Sequence, residues 1–385
     1  MIKILTIIGA RPQFIKAAAI SRAIRNHFAS SIEEVLVHTG QHYDKALSSV
    51  FFDELKIPKE KYNLQIGSGS HAEQTAKMLT EIEKVALVEK PDAILLYGDT
   101  NSTLAACLVG IKLHVDIIHV EAGVRSYNKE FPEEVNRIIC DHMASVLFVP
   151  SDAGMESLGR ENFKVNELPQ GTINASNAAV FRCGDIMYDN TLYFLDQINA
   201  RGAATFEKYS IPRENFILAT MHRPSNVDQH DTLESILSAF NTIIENHGKS
   251  IVLPLHPRTK NILENSESLS QLLQNDKLHI IPPVSFLEMI ELEKHADLVV
   301  TDSGGVQKEA YFMEKPCLIM LDETPWVELV ESNNALLVGS DYQKIIDGAD
   351  HFLNENSSLE FTALYGDGKT SEFICEQLIN IFSNK

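Results

Sequence analysis

Charged and polar side chains repeatedly fall just beyond short apolar runs, where a strand would end and a loop begin. Arg11 and Lys16 follow Ile2–Ile8, Asp99 follows Ala93–Tyr97, and Glu121 follows Asp116–Val120. Further on, His222 follows Phe216–Thr220 and His256 follows residues 251–255. Open α/β sheets bind ligands at the carboxyl ends of their strands, so these positions suit acid–base work and anion binding. Each has a plainer reading as well. Arg11 and Lys16 read equally as solvated surface cations, and Asp99 reads as the N-cap of the next helix. Glu133 and Arg137 are four apart on one helix face. They are either a surface ion pair of about 0.3–0.5 kcal/mol or a carboxylate held by a cation for chemistry.

A second signal lies at Ser303-Gly304-Gly305, between the apolar run 298–300 and a helical pattern carrying Val306, Ala310 and Met313. Two glycines permit positive φ and close approach of a ligand. A helix start there offers free N–H groups and the positive dipole end to a phosphate. Glu309, one turn in, could accept hydrogen bonds from a ribose diol. An ordinary strand-to-helix turn reads the same way. No GxGxxG fingerprint follows the first strand, so a dinucleotide cofactor is not indicated.

The elements that must position these groups form two strand–helix series. The first has strands at 2–8, 35–37, 93–97, 116–120, 146–149 and 178–181, with helices following 12, ending near Leu55, over 71–89 and starting at Pro132. The second has strands at 216–220, 251–255, 277–281, 298–300 and 316–320, with helices over 231–247 and 286–295. Residues 161–177 lack periodicity and read as a surface excursion. The expected architecture is α/β, with two Rossmann-like parallel-sheet domains facing a cleft. Their bounds are 1–185 and 186–367, with a last helix over 368–385 packing back on the first domain. Arg11, Lys16, Asp99, Glu121 and Glu133 would line one wall, and His222, His256, Ser303 and Glu309 the other.

Composition narrows the partners. The 385 residues carry a net charge of −20, which argues against nucleic acid or an anionic membrane. The five cysteines are scattered, with no CxxC or Cys/His cluster, so disulfides and structural zinc are not expected. The N-terminus is too short in its apolar run for a signal peptide or a membrane span, and a cytoplasmic location is expected.

Taken together, several motifs resemble one family. They are Gly9-Ala10-Arg11-Pro12-Gln13-Phe14-Ile15-Lys16, Thr39-Gly40-Gln41-His42, Gly98-Asp99-Thr100, and His119-Val120-Glu121-Ala122-Gly123. Pro132-Glu133-Glu134-Val135-Asn136-Arg137, His222-Arg223, and the run Thr301-Asp302-Ser303-Gly304-Gly305-Val306-Gln307-Lys308-Glu309-Ala310 complete the set. In this order they resemble the non-hydrolysing UDP-N-acetylglucosamine 2-epimerases. The resemblance implies a GT-B-like fold, a homodimer, no metal or nicotinamide, and a UDP-sugar substrate serving surface polysaccharide synthesis. By motif position it implies catalytic roles for Lys16, Asp99, Glu121, Glu133, Arg137 and His222. It implies substrate contacts for Arg11, Ser303, Gly304, Gly305 and Glu309, and His256 joins them as a polar residue at a strand end.

The chain also departs from the family pattern. Two arginine positions after the strand near Met320 are Leu321 and Trp326, and an aromatic position that flanks uracil is Met289. Gln13-Phe14 and Gly184-Asp185-Ile186-Met187-Tyr188-Asp189 look more like a branch acting on UDP-2,3-diacetamido glucuronate. A GT-B glycosyltransferase, a hydrolysing epimerase and a UDP-sugar sensor are the rival readings.

Overall fold

A computed structural model describes residues 1–41, 57–165, 167–201, 204–354 and 359–383. The helix expected to end near Leu55, and His42, lie outside the described residues. Two parallel sheets organise the chain. The first contains β1 (Ile2–Ile8), β2 (Ile32–His38), β3 (Tyr62–Asn63), β4 (Ala93–Tyr97), β5 (Asp116–Val120), β6 (Val146–Val149) and β7 (Ala179–Arg182). Their spatial order is β3-β2-β1-β4-β5-β6-β7. The second contains β8 (Phe216–Thr220), β9 (Ser250–Pro254), β10 (Leu278–Ile281), β11 (Leu298–Thr301), β12 (Cys317–Ile319) and β13 (Ala335–Leu337). Their order is β10-β9-β8-β11-β12-β13.

The central strands β4, β8 and β11 are buried along their whole length. That is why they read as unbroken apolar runs: helices cover both faces of a parallel sheet, so no polar alternation is left. Helix starts carry their own signals. Ser70 and Glu73 form a reciprocal capping box on the helix His71–Glu89, and Pro132 opens the helix Pro132–Met143. Two strands escape the sequence reading. β3 has two residues and β13 three, too few to show a period.

The order of each sheet reverses once, between β1 and β4 in the first and between β8 and β11 in the second. These are the topological switch points at which α/β sheets leave room for ligands. Arg11 and Lys16 follow β1 and Asp99 follows β4; His222 follows β8 and Ser303 follows β11. Five of the sequence candidates thus follow the strands that flank these points, whereas Glu121 follows β5 and His256 follows β9.

The chain divides into one compact unit of residues 1–190 and 363–385 and another of residues 191–362. The first division falls later than the expected Asp185, inside the helix Ile186–Arg201. The reason is local: Asn190 donates to the Ile15 carbonyl at 2.5 Å, and Asp189 accepts from the amides of Thr370 (3.0 Å) and Ser371 (2.6 Å). The return falls earlier than the expected Gly368, because Arg182 reaches the Leu364 carbonyl and the Asp185 amide the Tyr365 carbonyl. The last helix, Thr370–Phe382, buries Ile374, Cys375 and Leu378 within the first unit. Among the described residues, no helix is long and apolar enough to cross a membrane.

Candidate functional site

In the first unit the turn after β1 is held to the turn after β4 by one buried amide. Gln13 Oε1 accepts from the amides of Gly9 (2.8 Å) and Ala10 (3.1 Å). Its Nε2 donates to the Tyr97 carbonyl and to Thr103 Oγ1, both at 3.0 Å. Every hydrogen-bonding site used here faces a partner, which makes the link between the turns rigid. Arg11, first residue of the helix Arg11–Ala23, is exposed, whereas Lys16 in the same helix is buried and pairs with Glu121 Oε1. The pair lies over Gly98: a Cβ there would sit 3.1 Å from Lys16 Nζ and 3.3 Å from Glu121 Oε1, and Gly98 has φ +59°. Glycine is favoured on both counts, since any side chain here would be strained in φ and would press on the pair.

Asp99 is not a helix cap. Thr100 fills that place, its hydroxyl accepting from the Thr103 amide. The Asp99 carboxylate is instead gripped by Arg137, whose Nε and Nη2 reach Oδ2 at 2.9 and 2.6 Å. Arg137 also donates Nη1 to Glu134 Oε2 at 2.9 Å. Burial would lower the basicity of this guanidinium, but the Asp99 and Glu134 charges outweigh it and hold its pKa above the ordinary value. The expected Glu133–Arg137 pair is therefore corrected: among the described residues no ion pair joins them. Glu133 is exposed in the first helical turn, while the fully buried Glu134 takes the guanidinium and also accepts from the Ser126 and Tyr127 amides. An i,i+4 spacing is satisfied by either face of a helix turn; burial selects the i,i+3 partner.

Behind these groups lies a buried charged network the sequence did not reveal. His119 and Asp141 are both fully buried, with His119 Nδ1 2.6 Å from Asp141 Oδ1 and Nε2 2.8 Å from the Gly98 carbonyl. Asp141 Oδ2 accepts from the Gly123 amide (3.0 Å) and from Arg125 (2.7 Å), which in turn forks onto Glu161. Burial would raise the Asp141 carboxyl, but the charges of His119 and Arg125 and the Gly123 amide hold it below the usual range. The network clamps Gly98, next to Asp99, and Gly123, just past Glu121. Glu121 itself adopts φ +71°.

In the second unit the glycines behave differently from expectation. Gly304 and Gly305 do not adopt positive φ; they are the first residues of the helix Gly304–Phe312. What they contribute is the missing Cβ, since nothing but the Ser303 hydroxyl lies within 4 Å of that point on Gly305. Ser303, the N-cap residue, makes no side-chain cap bond, so the first N–H groups of this helix are left for an anion. Glu309 is buried one turn along. The buried Trp326 indole lies beside Gly304, with Lys308 Nζ 3.8 Å from its ring centre. Trp326 at a family arginine position thus becomes the partner of a buried lysine.

His222 is largely exposed, and its Nδ1 lies 2.7 Å from Asp302 Oδ1. Asp302, which the sequence reading left without a role, is fully buried and also accepts from the His222 and Arg223 amides and from Asn226. His256 is exposed and caps the helix Pro257–Glu264, its Nδ1 accepting from the Arg258 amide. Met289 is half-buried in the helix Phe286–His295. Among the described residues one trio, His230, Asp231 and Glu234, brings three ligand atoms within 4.8 Å of one another, all of them exposed.

Known proteins resemble this chain over nearly its whole length. The sequence profile of the family described as UDP-N-acetylglucosamine 2-epimerase matches residues 24–379. The chain belongs to the UDP-N-acetylglucosamine 2-epimerase family. A Methanococcus maripaludis protein named as a homolog of that enzyme is 44% identical over 98% of this chain and 100% of its own length. The UDP-2,3-diacetamido-2,3-dideoxy-D-glucuronate 2-epimerase of Pseudomonas aeruginosa is also 44% identical, over the same shares. The crystal structure of the Methanocaldococcus jannaschii UDP-GlcNAc 2-epimerase with UDP-GlcNAc and UDP superposes with TM-score 0.84 at 39% identity, covering 98% of this chain and 100% of that one. Membership makes the chain an isomerase, and its two Rossmann-like sheets are the GT-B-like architecture expected from sequence.

Proposed function

We propose that this epimerase inverts C2 of UDP-N-acetylglucosamine, giving UDP-N-acetylmannosamine, by eliminating UDP and adding it back. The C2 hydrogen has no neighbouring carbonyl to acidify it, so simple removal and return would need a carbanion that no group here stabilises. Elimination avoids this. A base takes the C2 proton, C1=C2 forms, and the electron pair of the C1–O bond leaves with UDP. The UDP oxygen then adds back to C1 as a proton reaches the other face of C2. Such a route needs acid/base groups and cations for a departing diphosphate.

Asp99, Glu121 and Glu133 form the acid/base set of the first unit, with Lys16 on Glu121, Arg137 on Asp99, and Arg11 for the phosphates. Ser303, Gly304 and Gly305 take the diphosphate in the second unit, Glu309 the ribose, Met289 the uracil and His256 a polar edge, and His222 assists the leaving phosphate. The observation that carries the reading is the gripped carboxylate at one switch point and the uncapped glycine-led helix at the other. A cytoplasmic homodimer goes with it, as the family resemblance implies.

The test is incubation with UDP-N-acetylglucosamine in deuterated water. The expected product is the C2 epimer carrying deuterium at C2, with free UDP appearing slowly. Free sugar would point to hydrolysis, transfer only with an acceptor to a glycosyltransferase, and no change to a sensor. The diacetamido glucuronate is the second substrate to run, since Gln13-Phe14 and the Pseudomonas relative favour it. In the same proposal, Glu309→Ala should weaken UDP binding by about 1.5–3 kcal/mol, roughly 10- to 150-fold in Kd. Calorimetry showing unchanged affinity would remove Glu309 from the nucleotide site.

A further inference from the structure

We propose that Asp302 is a positioning residue for His222, holding a hydrogen on Nδ1 and so fixing the direction in which Nε2, when it carries a proton, faces the departing diphosphate. The inference rests on the role given to His222 above. β8 and β11 are neighbours in register, with Thr220 opposite Thr301. The chains leaving them therefore bring His222 and Asp302 together at the switch point.

Asp302 is fully buried, and every group around its oxygens is a donor: the His222 amide at 2.9 Å, the Arg223 amide at 2.9 Å, and Asn226 Nδ2 at 3.0 Å. Burial would raise this carboxyl, but His222 and those amides hold it below the ordinary range. An ionised carboxylate only accepts, so the ring nitrogen at 2.7 Å must be the donor. The imidazole is then tethered by one edge, and Nε2 has no protein partner among the described residues.

Asp302 also immediately precedes Ser303 and the uncapped start of the helix Gly304–Phe312. A negative charge beside a phosphate site would ordinarily repel the ligand. Here it is turned inward onto one imidazole and the backbone. As the C1–O bond breaks, negative charge grows on the leaving oxygen, and an N–H fixed in direction meets it without reorganisation.

The experiment combines Asp302→Asn, His222→Gln and the double variant with 15N spectra of labelled wild-type histidines. Asn keeps the shape and can still accept from the backbone, but its NH2 turned toward Nδ1 cannot accept the hydrogen that tethers the ring. Asp302→Asn should lower kcat about 100-fold or more, with KM and UDP affinity within about threefold of wild type. Adding it to His222→Gln should cost no more than about threefold further, because the two act as one unit. In the wild type the His222 Nδ1 signal should be that of a protonated nitrogen. Losses that multiply in the double variant, a collapse of UDP affinity alongside kcat, or an unprotonated Nδ1 in the wild type would overturn the inference while leaving the role of His222 intact. Full turnover by His222→Gln would overturn that role, and the inference with it. Should Asp302→Asn not fold, the wild-type spectrum decides.

Discussion

Asp99→Asn should fold with the stability of the wild type and lose about 10²–10⁴-fold in turnover, the range of a single acid/base group. The substitution separates charge from shape. Thr100 already caps the following helix, so the helix start does not depend on Asp99. Asparagine can keep one acceptor toward Arg137, which donates both Nε and Nη2 to the same oxygen, Oδ2. What it cannot do is take a proton from carbon. Arg137 retains Glu134, so no buried cation is left alone. Turnover, solvent deuterium incorporation and a thermal melt on one sample decide the matter. A variant as active as wild type would remove Asp99 from the acid/base set, and a variant that melts early would return it to a structural role.

The second large effect is on stability. Asp141→Ala should cost about 3–5 kcal/mol, measured by urea unfolding at neutral pH, because removing one partner of a buried ion pair leaves uncompensated charge. His119 loses the carboxylate on its Nδ1, Arg125 keeps only Glu161, and the Gly123 amide loses its acceptor. The pH dependence has a definite sign. The Asp141 carboxyl is depressed in the folded state, so it contributes stability above its unfolded value of about 3.9, and that contribution is lost as pH falls through the folded value. The gap between variant and wild type should be complete at pH 6 and narrow as pH falls below about 4. A gap under 1 kcal/mol at neutral pH would mean that the network is not coupled to folding.

The residues that the sequence made legible share a property: each follows a long apolar strand. β1, β4, β5 and β8 announce themselves, so Lys16, Asp99, Glu121 and His222 could be singled out by position alone. The partners could not. Asp302 meets His222 across 80 residues of chain, and Arg137 meets Asp99 across 38. Those pairings exist only once β8 lies beside β11 and the helix Pro132–Met143 packs near β4. Glu133 and Glu134 differ by one position and look interchangeable in sequence, yet one is exposed and the other fully buried. His119 sits inside a strand pattern, where a polar residue reads as an interruption rather than as half of a buried pair. The glycines at 304 and 305 read in sequence as positions of positive φ, whereas both sit in an ordinary helix start.

The return of the chain to its first unit bears on the order in which the protein can be made. Residues 191–362 form one uninterrupted unit, whereas residues 1–190 are completed only by the segment that follows residue 362. On a ribosome the helix Arg11–Ala23 emerges long before the last helix, with its buried Ile374, Cys375 and Leu378, that packs against it, and the whole of residues 191–362 is made in between. The Asp189 carboxylate, synthesised early, receives the amides of Thr370 and Ser371 only after some 180 further residues have been added.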